Sequence, residues 1–417
     1  MIIMKVNGWA EEIRNLGGIK FIKLHTTSGD VQVTLPKKKV SKALFDKVDE
    51  ITRQSALSVT GRFRKNKEAP GGKELIPKKI EIISLAETPL PLEPSEKTPA
   101  ELDTRLDWRF LDLRTEKSLA IFRIQNEILR AFREFLAKNG FIEIQPPCII
   151  ASASEGGAGL FKIPYFEEEA YLAQSPQLYK QMCAISLEKV FMILPIWRAE
   201  KFNKPTHLNE IRQMDIEMGF VESEEDVMKI LEEVFVYILK SVQKNCKKEL
   251  KSLNVKLKIP KLPLKRITYT RAVETLKKHG EKIEWGNDFS KLQEEKLSKI
   301  FGSTFFMKDW PTEAKTFYTM PYEKNPKVCH AFDLIYNGLE IASGTQRIHI
   351  PDLLIKQIKA FGLTPENFNY YIDCFKYGAP PHAGWSIGLE RITMTITGMK
   401  NIRECCMFPR DRNRLTP

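Results

Sequence analysis

A sharp turn at residues 336–339 (Tyr-Asn-Gly-Leu) places two carboxylates where they could bind a metal ion. Asn-Gly is a strong signal for a two-residue hairpin, because it supplies the two positive φ angles of a type I′ turn. The resulting register pairs Ile335 with Glu340 and Asp333 with Ala342. Asp333 and Glu340 then share a face, at roughly 7–8 Å. Such a pair suits Mg²⁺ bound together with substrate phosphates. The alternative is an exposed acidic pair without a ligand.

Polar residues continue directly after this hairpin and favour a site over an exposed pair. Ser343, Gln346 and Arg347 follow the apolar strand within a few residues. Several hydrogen-bonding groups in one short stretch are typical of a binding pocket, where a few placed polar groups fix the ligand.

A second hairpin is predicted from residues 190–200 and 211–220. Its first strand ends in Arg198-Ala-Glu200, and a polar loop with Lys201, Lys204 and His207 follows. Arg198 and Glu200 share a face by the period of two. An arginine there can bind a phosphate through two parallel hydrogen bonds. An Arg–Glu surface pair is the alternative.

A third candidate is the glycine-flanked segment 384–391, Gly-Trp-Ser-Ile-Gly-Leu-Glu-Arg, which opens a helix running to Gly398. Glycine lets a backbone approach a ligand closely, and Arg391 would face that ligand. The signal is weak alone. The sequence contains no GxxxxGK[ST] pattern, which excludes a P-loop as the nucleotide site.

The elements that position these residues divide the chain into two parts. Residues 1–88 contain short alternating strands and predict a small β-barrel. Residues 89–114 form a linker that begins with four prolines between residues 88 and 99. From residue 115 to 417 helices and strands mix irregularly, with amphipathic helices at 115–139 and 224–245. We therefore predict an α+β fold with much antiparallel hairpin character.

Composition limits the function and compartment. The 417 residues carry 42% apolar and 28% charged side chains and a net charge of +12, with a pI near 9.1. A basic chain favours a polyanion such as nucleic acid or a membrane surface, although a lysine-rich surface can have other origins. Seven scattered cysteines without CxxC spacing argue against zinc and disulfides and for a cytoplasmic location. No apolar run is long enough to span a membrane.

These elements together resemble the three motifs of class II aminoacyl-tRNA synthetases. Residues 141–147 (Phe-Ile-Glu-Ile-Gln-Pro-Pro) resemble motif 1, which forms the dimer interface. Trp197-Arg-Ala-Glu200 resembles motif 2, and Gly388-Leu-Glu-Arg391 resembles motif 3. The match is to the archaeal and eukaryotic aspartyl enzymes. Its supporting segments are Ser154-Glu155-Gly-Gly157, Gln174-Ser-Pro-Gln177-Leu-Tyr-Lys180, residues 339–349 and residues 408–417.

This resemblance implies a substrate, a metal and site residues. The enzyme would activate aspartate with ATP and Mg²⁺, with Arg198 and Arg391 as catalytic residues. The metal ligands would be Asp333, Glu340 and Ser343. Aspartate would be bound by Glu155, Gln177, Lys180, Arg198, Ser343 and Arg347. ATP would be bound by Arg198, Glu200, Thr206, His207, Leu208, Glu340, Gly388, Leu389, Glu390 and Arg391.

The resemblance also implies macromolecular partners. The barrel would be an OB-fold that binds the anticodon through Phe21, Gln32 and Pro70, and the chain would form a homodimer around Pro146. The tRNA would be tRNA-Asp. Residues 69–72 (Ala-Pro-Gly-Gly) resemble relaxed enzymes that also charge tRNA-Asn, whereas Glu11 resembles neither type and could select tRNA-Asp. The shorter N-terminus predicts a reduced first barrel strand.

Aspartate is favoured over asparagine in this interpretation. Lys180 and Arg347 are permanent cations in a closed pocket, so an amide substrate would leave a desolvated charge unpaired. A surface lysine at a helix start is the alternative for Lys180. Rival functions are an asparaginyl-tRNA synthetase, a non-catalytic tRNA-binding paralogue and an amide synthetase paralogue. Two departures from the family are Ile211 in place of a stacking aromatic and Ser386 in place of glycine.

Overall fold

The computed structural model describes residues 3–95, 97–151, 159–201 and 203–417. The chain divides into two compact units, Met1–Thr115 and Glu116–Pro417. In the described ranges no helix is both long and apolar enough to cross a membrane.

The first unit is a closed five-stranded barrel with the strand order β1-β2-β3-β5-β4. On β2 buried and half-buried residues alternate, as expected of a strand with one face in a core. The 12-residue β1 pairs with both β2 and β4, so the prediction of a reduced first strand is wrong. The strands are β1 Met4–Asn15, β2 Ile19–Thr26, β3 Gly29–Pro36, β4 Ala56–Lys65 and β5 Lys73–Ser84, and α1 is Lys42–Asp46.

After the barrel, the first unit ends with two short helices, α2 Leu102–Asp107 and α3 Arg109–Asp112. Arg109 is 1% exposed and forms an ion pair with Asp112, which is fully buried. The second half of the segment predicted as a linker, residues 89–114, is therefore helical and is held by buried charges.

The second unit is built on an eight-stranded, mainly antiparallel sheet with the order β12-β13-β14-β15-β16-β11-β10-β6. A separate three-stranded sheet, with the order β7-β9-β8, is formed by the residues between β6 and β10. The strands are β6 Ile142–Glu143, β7 Ile149–Ile150, β8 Lys162–Tyr165, β9 Glu168–Leu172, β10 Lys189–Trp197, β11 Glu210–Gly219, β12 Lys265–Thr268, β13 Thr304–Pro311, β14 Val328–Tyr336, β15 Leu339–Gln346 and β16 His382–Gly388.

Helices cover the sheet and close its core. The two long helices predicted from periodicity form at Glu116–Lys138 and Glu224–Asn245, and both contribute to the largest apolar cluster. The helices are α4 Glu116–Lys138, α5 Gln177–Leu187, α6 Glu224–Asn245, α7 Lys247–Ser252, α8 Tyr269–Lys278, α9 Lys291–Phe301, α10 Pro351–Ala360, α11 Asn369–Ile372 and α12 Leu389–Thr397. The predicted α+β fold, with a small β-barrel before the mixed second unit, is confirmed.

The predicted β14–β15 hairpin forms, but its register differs beyond the turn. Asn337 and Gly338 have φ angles of 52° and 78°, as a type I′ turn requires. Ile335 pairs with Glu340 as predicted. A bulge then shifts the register, so Asp333 faces Ser343, and the predicted pairing of Asp333 with Ala342 is wrong. A β-bulge adds one residue to one strand, and a turn signal cannot reveal it.

Candidate active site

The three segments singled out in the sequence lie on adjacent strands. Strand β16 pairs with β15 on one side and with β11 on the other. Ser343 on β15 faces Asp333 on β14 and Ser386 on β16, and Ser386 in turn faces Asp215 on β11. Directly paired residues project to the same side of a sheet. One polar row therefore crosses four strands, with a carboxylate at each end.

A second row crosses the same strands two residues away. Thr345 faces Gly384, and Gly384 faces Glu217. Arg347 donates to Thr345 Oγ1 and, through Nε and Nη2 at 2.9 and 3.2 Å, to both oxygens of Glu217. A Cβ at position 384 would lie 2.2 Å from Glu217 Oε2. The glycine therefore leaves the space that the Glu217 carboxylate occupies.

Lys180 brings a second cation to these rows from the first turn of α5. It is 1% exposed, which excludes the surface-lysine interpretation. Its Nζ lies 2.9 Å from Asp215 Oδ2 and 3.5 Å from Glu217 Oε2. Burial alone would raise the pKa of Glu217, but Arg347 and Lys180 outweigh it and lower that pKa.

These ion pairs change the electrostatics expected of the predicted amino-acid site. Lys180 and Arg347 already have Asp215 and Glu217 as partners, so two cations face two carboxylates within the protein itself. The expectation that a substrate carboxylate must neutralise two otherwise unpaired cations is therefore wrong. Discrimination between a carboxylate and an amide has to come from the placement of hydrogen-bond donors.

A cavity of about 450 Å³ opens over this cluster and contains polar atoms without partners in the described chain. Gln177, Lys180, Ser343 and Arg347, all predicted to bind the amino acid, are among its lining residues. Four lining side chains each have a buried polar atom with no hydrogen bond, namely Gln177 Nε2, Gln213 Oε1, Asp215 Oδ1 and Ser386 Oγ. Buried polar groups are normally paired, so these atoms indicate a site for a polar ligand.

A second cavity, of about 240 Å³, adjoins the first and shares several walls with it, including Arg198, Glu340 and Ser343. Its other lining residues include most of the positions predicted to bind ATP, namely Glu200, Thr206, His207, Leu208, Gly388, Glu390 and Arg391. Ile211, the departure from a stacking aromatic, also lies here. The structure therefore brings motif 2 and motif 3 residues around one space.

Some predicted ATP residues have other contacts in the fold. Leu389 is 4% exposed and belongs to the main apolar core. Glu390 accepts the backbone N–H of Arg212 on both oxygens, at 3.0 and 3.2 Å. Burial raises the pKa of Glu390 to about 7. Burial, with the charges of Arg391, Lys204 and Arg198, lowers the pKa of His207 to about 4.

The predicted metal residues form an acidic group at the edge of the cavities. Asp333 is 1% exposed, and each of its two carboxylate oxygens accepts a hydrogen bond from Lys315 Nζ. Burial and the charge of Asp333 raise the pKa of Glu340, and burial and Glu340 raise the pKa of Glu294 to about 8. Hard oxygen donors with excess negative charge fit Mg²⁺. The Arg391 guanidinium lies 3.4 Å from Glu340 Oε1.

The barrel carries the predicted anticodon residues. Phe21 lies on β2, with the Arg14 guanidinium 5.5 Å from its ring centroid. Gln32 on β3 faces Lys23 on β2, and Pro70 begins a turn at Pro70–Gly72. Lys23 Nζ lies 2.8 Å from Glu11 and 3.0 Å from Asp30. The Glu11 carboxylate thus has an internal partner.

One predicted residue cannot be placed, and several others were missed. Glu155 lies outside the described residues. Sequence reasoning did not select Asp215, Glu217, Glu294 or Lys315. Asp215 and Glu217 alternate with Met214 and Ile216, and a strand with carboxylates between apolar residues in mid-chain was an available signal. Glu294 and Lys315 reach the site from separate segments, and local spacing gives no sign of that.

Comparison with known proteins identifies the family. Residues 101–412 match the model for class II tRNA synthetases of the D, K and N group, and residues 4–83 match the OB-fold nucleic acid binding domain. An aspartate–tRNA(Asp/Asn) ligase from Methanopyrus kandleri is 52% identical, over 99% of this chain and 96% of that protein. An aspartate–tRNA(Asp) ligase from Pyrococcus abyssi is 49% identical over the same shares.

Solved structures support the assignment at the level of fold. An asparaginyl-tRNA synthetase from Pyrococcus horikoshii, complexed with asparaginyl-adenylate, superposes with a TM-score of 0.94 at 32% identity, covering 100% of this chain and 96% of that chain. An aspartyl-tRNA synthetase from Entamoeba histolytica gives 0.88 at 32% identity, covering 100% and 90%. Backbone similarity therefore does not distinguish aspartyl from asparaginyl enzymes. The two relatives with 52% and 49% sequence identity, in contrast, are both aspartate–tRNA ligases. The chain belongs to the class II tRNA synthetases and, within them, to the aspartate–tRNA ligase family.

Proposed function

We propose that this chain activates L-aspartate with ATP and transfers it to the 3′ end of tRNA-Asp and of tRNA-Asn. The observation that carries the proposal is the pair of adjoining cavities, one over the Lys180–Arg347 cluster and one between motifs 2 and 3. Arg198 lines both. A carboxylate held in the first cavity and an α-phosphate held in the second would therefore meet beside one arginine.

The first step joins the aspartate carboxylate to the α-phosphorus and expels pyrophosphate. The tRNA hydroxyl then attacks the adenylate carbonyl and releases AMP. Neither step needs a side-chain nucleophile, so the residues act by positioning and by compensating charge. Arg198 would hold the α-phosphate, and Arg391 the γ-phosphate. His207 is neutral near pH 7, because its pKa is about 4. It can therefore donate or accept a hydrogen bond in the smaller cavity without adding a positive charge.

Mg²⁺ would be held by Asp333, Glu340 and Ser343. Asp333 and Ser343 are direct cross-strand partners, and Glu340 contributes a second carboxylate from β15. When bound, the ion would compensate charge on the phosphates. The protein's own contribution is to keep these oxygens on neighbouring strands, where the sheet fixes their spacing.

The substrate amino acid would use the unpaired donors and acceptors of the larger cavity. Lys180 has three N–H donors, and its described partners are Asp215 and Glu217. The Arg347 guanidinium has five N–H donors, and three hydrogen bonds join it to Thr345 and Glu217. Donors left over suit a carboxylate, which only accepts, better than an amide, which also donates. Asp215 Oδ1, without a described partner, would accept the α-ammonium.

Relaxed tRNA choice is supported by the barrel surface. The two anticodons differ in one pyrimidine, C against U, so discrimination needs a rigid group that tells a donor from an acceptor. In the turn at Pro70–Gly72, proline has no N–H to donate and the glycines have no side chains. Glu11, the candidate selector of C, is instead held by Lys23.

The test is aminoacylation of purified tRNA-Asp and tRNA-Asn transcripts with labelled aspartate and labelled asparagine. We expect aspartate to be charged to both transcripts with kcat/KM values within about tenfold, because neither the turn at Pro70–Gly72 nor the ion-paired Glu11 offers a free side-chain group that would bind one pyrimidine and reject the other. A discriminating base contact would contribute about 1–3 kcal/mol, or roughly five- to 150-fold. Asparagine is expected to be charged to neither. A preference for tRNA-Asp above about a hundredfold would refute relaxed recognition, and charging of asparagine would refute the amino-acid assignment.

The same proposal includes a homodimer in the cytoplasm. Ile142 and Ile149, on either side of Pro146, are each 48% exposed, and two apolar side chains at the surface of the segment that resembles motif 1 suit an interface with a second copy. All seven cysteines are free thiols, as fits a reducing compartment. Sedimentation should give twice the 48.1 kDa mass of one chain. A monomer at micromolar concentration would contradict the dimer.

A further inference from the structure

Lys315 occupies a position in the candidate metal site that the proposed reaction does not explain. It follows the turn at Thr312–Ala314, and its Nζ lies 2.9 and 3.1 Å from the two oxygens of Asp333. The same Nζ lies 4.0 Å from the centroid of the Trp310 ring. The Lys315 side chain is 15% exposed, and Asp333 is 1% exposed.

This ammonium compensates the charge of the acidic group. Lys315 Nζ donates to both oxygens of Asp333, so the buried carboxylate has a cation as its direct partner. A buried carboxylate without a partner is strongly unfavourable. Lys315 therefore supplies, inside the protein, the positive charge that Asp333 needs while no metal ion is bound.

A divalent ion and Lys315 compete for the same oxygens. Both oxygens of Asp333 accept from one ammonium, so an ion that coordinates either oxygen lies next to that ammonium and weakens these hydrogen bonds by charge repulsion. An ion held by Asp333, Ser343 and Glu340 would also lie close to the ammonium and repel it. Lys315 is itself on the wall of the larger cavity, together with Arg198 and Glu340. Phosphates in the cavities would therefore lie within reach of its flexible stem.

We propose that Lys315 is an exchangeable counter-ion of the metal site, which holds Asp333 in the metal-free enzyme and moves to a phosphate of ATP when Mg²⁺ and ATP bind. The proposal rests on the proposed function. A metal ion that binds alone has to displace Lys315 from Asp333 without giving the ammonium a new partner. A metal ion that binds together with ATP brings a phosphate that can be this partner. Lys315 thus makes the binding of metal and nucleotide cooperative, and the coupling is reciprocal.

The test is Mn²⁺ binding to the full-length protein, followed by electron paramagnetic resonance, with and without α,β-methylene-ATP. Mn²⁺ is chosen because it takes the same oxygen ligands as Mg²⁺. In Lys315→Met we expect Mn²⁺ alone to bind at least tenfold more tightly than in the wild type. The factor by which the nucleotide tightens Mn²⁺ binding should fall at least tenfold. Lys315→Arg keeps the charge and should stay within about threefold of the wild type.

Lys308→Met is the matched control. Lys308 is also on this sheet, is 16% exposed and forms ion pairs with Glu224 and Glu225. Its removal should change neither Mn²⁺ constant. If Lys315→Met does not fold, Lys315→Gln retains a hydrogen-bond donor for Asp333 without the charge and is expected to tighten Mn²⁺ binding likewise.

The possible results distinguish failure of the counter-ion role from failure of the proposed function. Unchanged or weaker binding of Mn²⁺ alone to the folded Lys315→Met and Lys315→Gln variants would overturn the counter-ion role. The proposed metal site would stand in that case. A wild-type protein that binds no Mn²⁺ even with the nucleotide would overturn both.

Discussion

Replacing Lys180 by methionine should damage both folding and aspartate recognition, and the two effects can be separated. Lys180 Nζ lies 2.9 Å from Asp215 Oδ2 and 3.5 Å from Glu217 Oε2, and all three side chains are at most 1% exposed. Removing one partner of a buried ion pair costs about 3–5 kcal/mol of stability. We therefore expect Lys180→Met to lower the free energy of unfolding by that amount, measured by urea titration.

The effect on the reaction follows from the lost donor. Truncating one partner of a buried charge pair at an interface costs about 2–5 kcal/mol, and about 1.4 kcal/mol is a factor of ten. Aspartate-dependent pyrophosphate exchange in Lys180→Met should therefore lose roughly thirtyfold to a few thousandfold in kcat/KM. The KM for ATP should change little, because Lys180 does not line the second cavity.

The double variant Lys180→Met/Asp215→Asn distinguishes recognition from folding. It removes both the cation and the charge that it compensates, so most of the lost stability should return. Aspartate activation should not return, because the double variant lacks both the Lys180 donor and the Asp215 acceptor assigned to the α-ammonium. Lys20→Met is the control for loss of a buried lysine, since Lys20 is 2% exposed in the barrel and bonds Asp49 and the Phe45 carbonyl. If activation recovered together with stability in the double variant, Lys180 would be only structural and the reasoning would be refuted.

Three further predictions concern the metal, the anticodon and pH. Glu340→Gln should abolish adenylate formation in pyrophosphate exchange while tRNA affinity stays within about threefold by filter binding, and a parallel loss of affinity would contradict separate sites. Glu11→Gln should change the tRNA-Asp to tRNA-Asn ratio of kcat/KM less than about tenfold, because Lys23 holds the carboxylate. NMR of labelled histidine should show His207 neutral from pH 8 to pH 5, because its pKa is about 4. The contribution of His207 to stability should decline as the pH falls from 6.5 towards 4. A titration midpoint of His207 near pH 6.5 would contradict this prediction.

Local signals predicted the elements well. Asn337-Gly338 predicted the turn because few residues tolerate the two positive φ angles found there. The amphipathic spacing of α4 and α6 predicted both helices to within a residue or two. Each of these features depends on neighbours close in sequence, which is why one sequence suffices to find them.

The charges of the site could not be predicted in the same way. On β11, Asp215 and Glu217 alternate with Met214 and Ile216, a pattern typical of a strand with one wet face. Both faces are closed here, since all four residues are at most 1% exposed. The closure comes from Lys180 on α5 and Arg347 after β15, which lie far from β11 in sequence. The pairing of β11 with β16 is equally non-local, and no local signal sets its register.

The balanced charge of the amino-acid pocket also explains why structural similarity leaves the amino acid open. In the cluster at its base, Lys180 and Arg347 pair with Asp215 and Glu217, so the net charge of this cluster excludes neither aspartate nor asparagine. Their difference is whether the group facing Lys180 and Arg347 only accepts hydrogen bonds or also donates them. Each donor that an amide fails to satisfy costs about 1–3 kcal/mol, so two such donors give a factor between about thirty and twenty thousand. A few side chains on an unchanged sheet can therefore separate the two amino acids, consistent with a TM-score of 0.94 to an asparaginyl-tRNA synthetase.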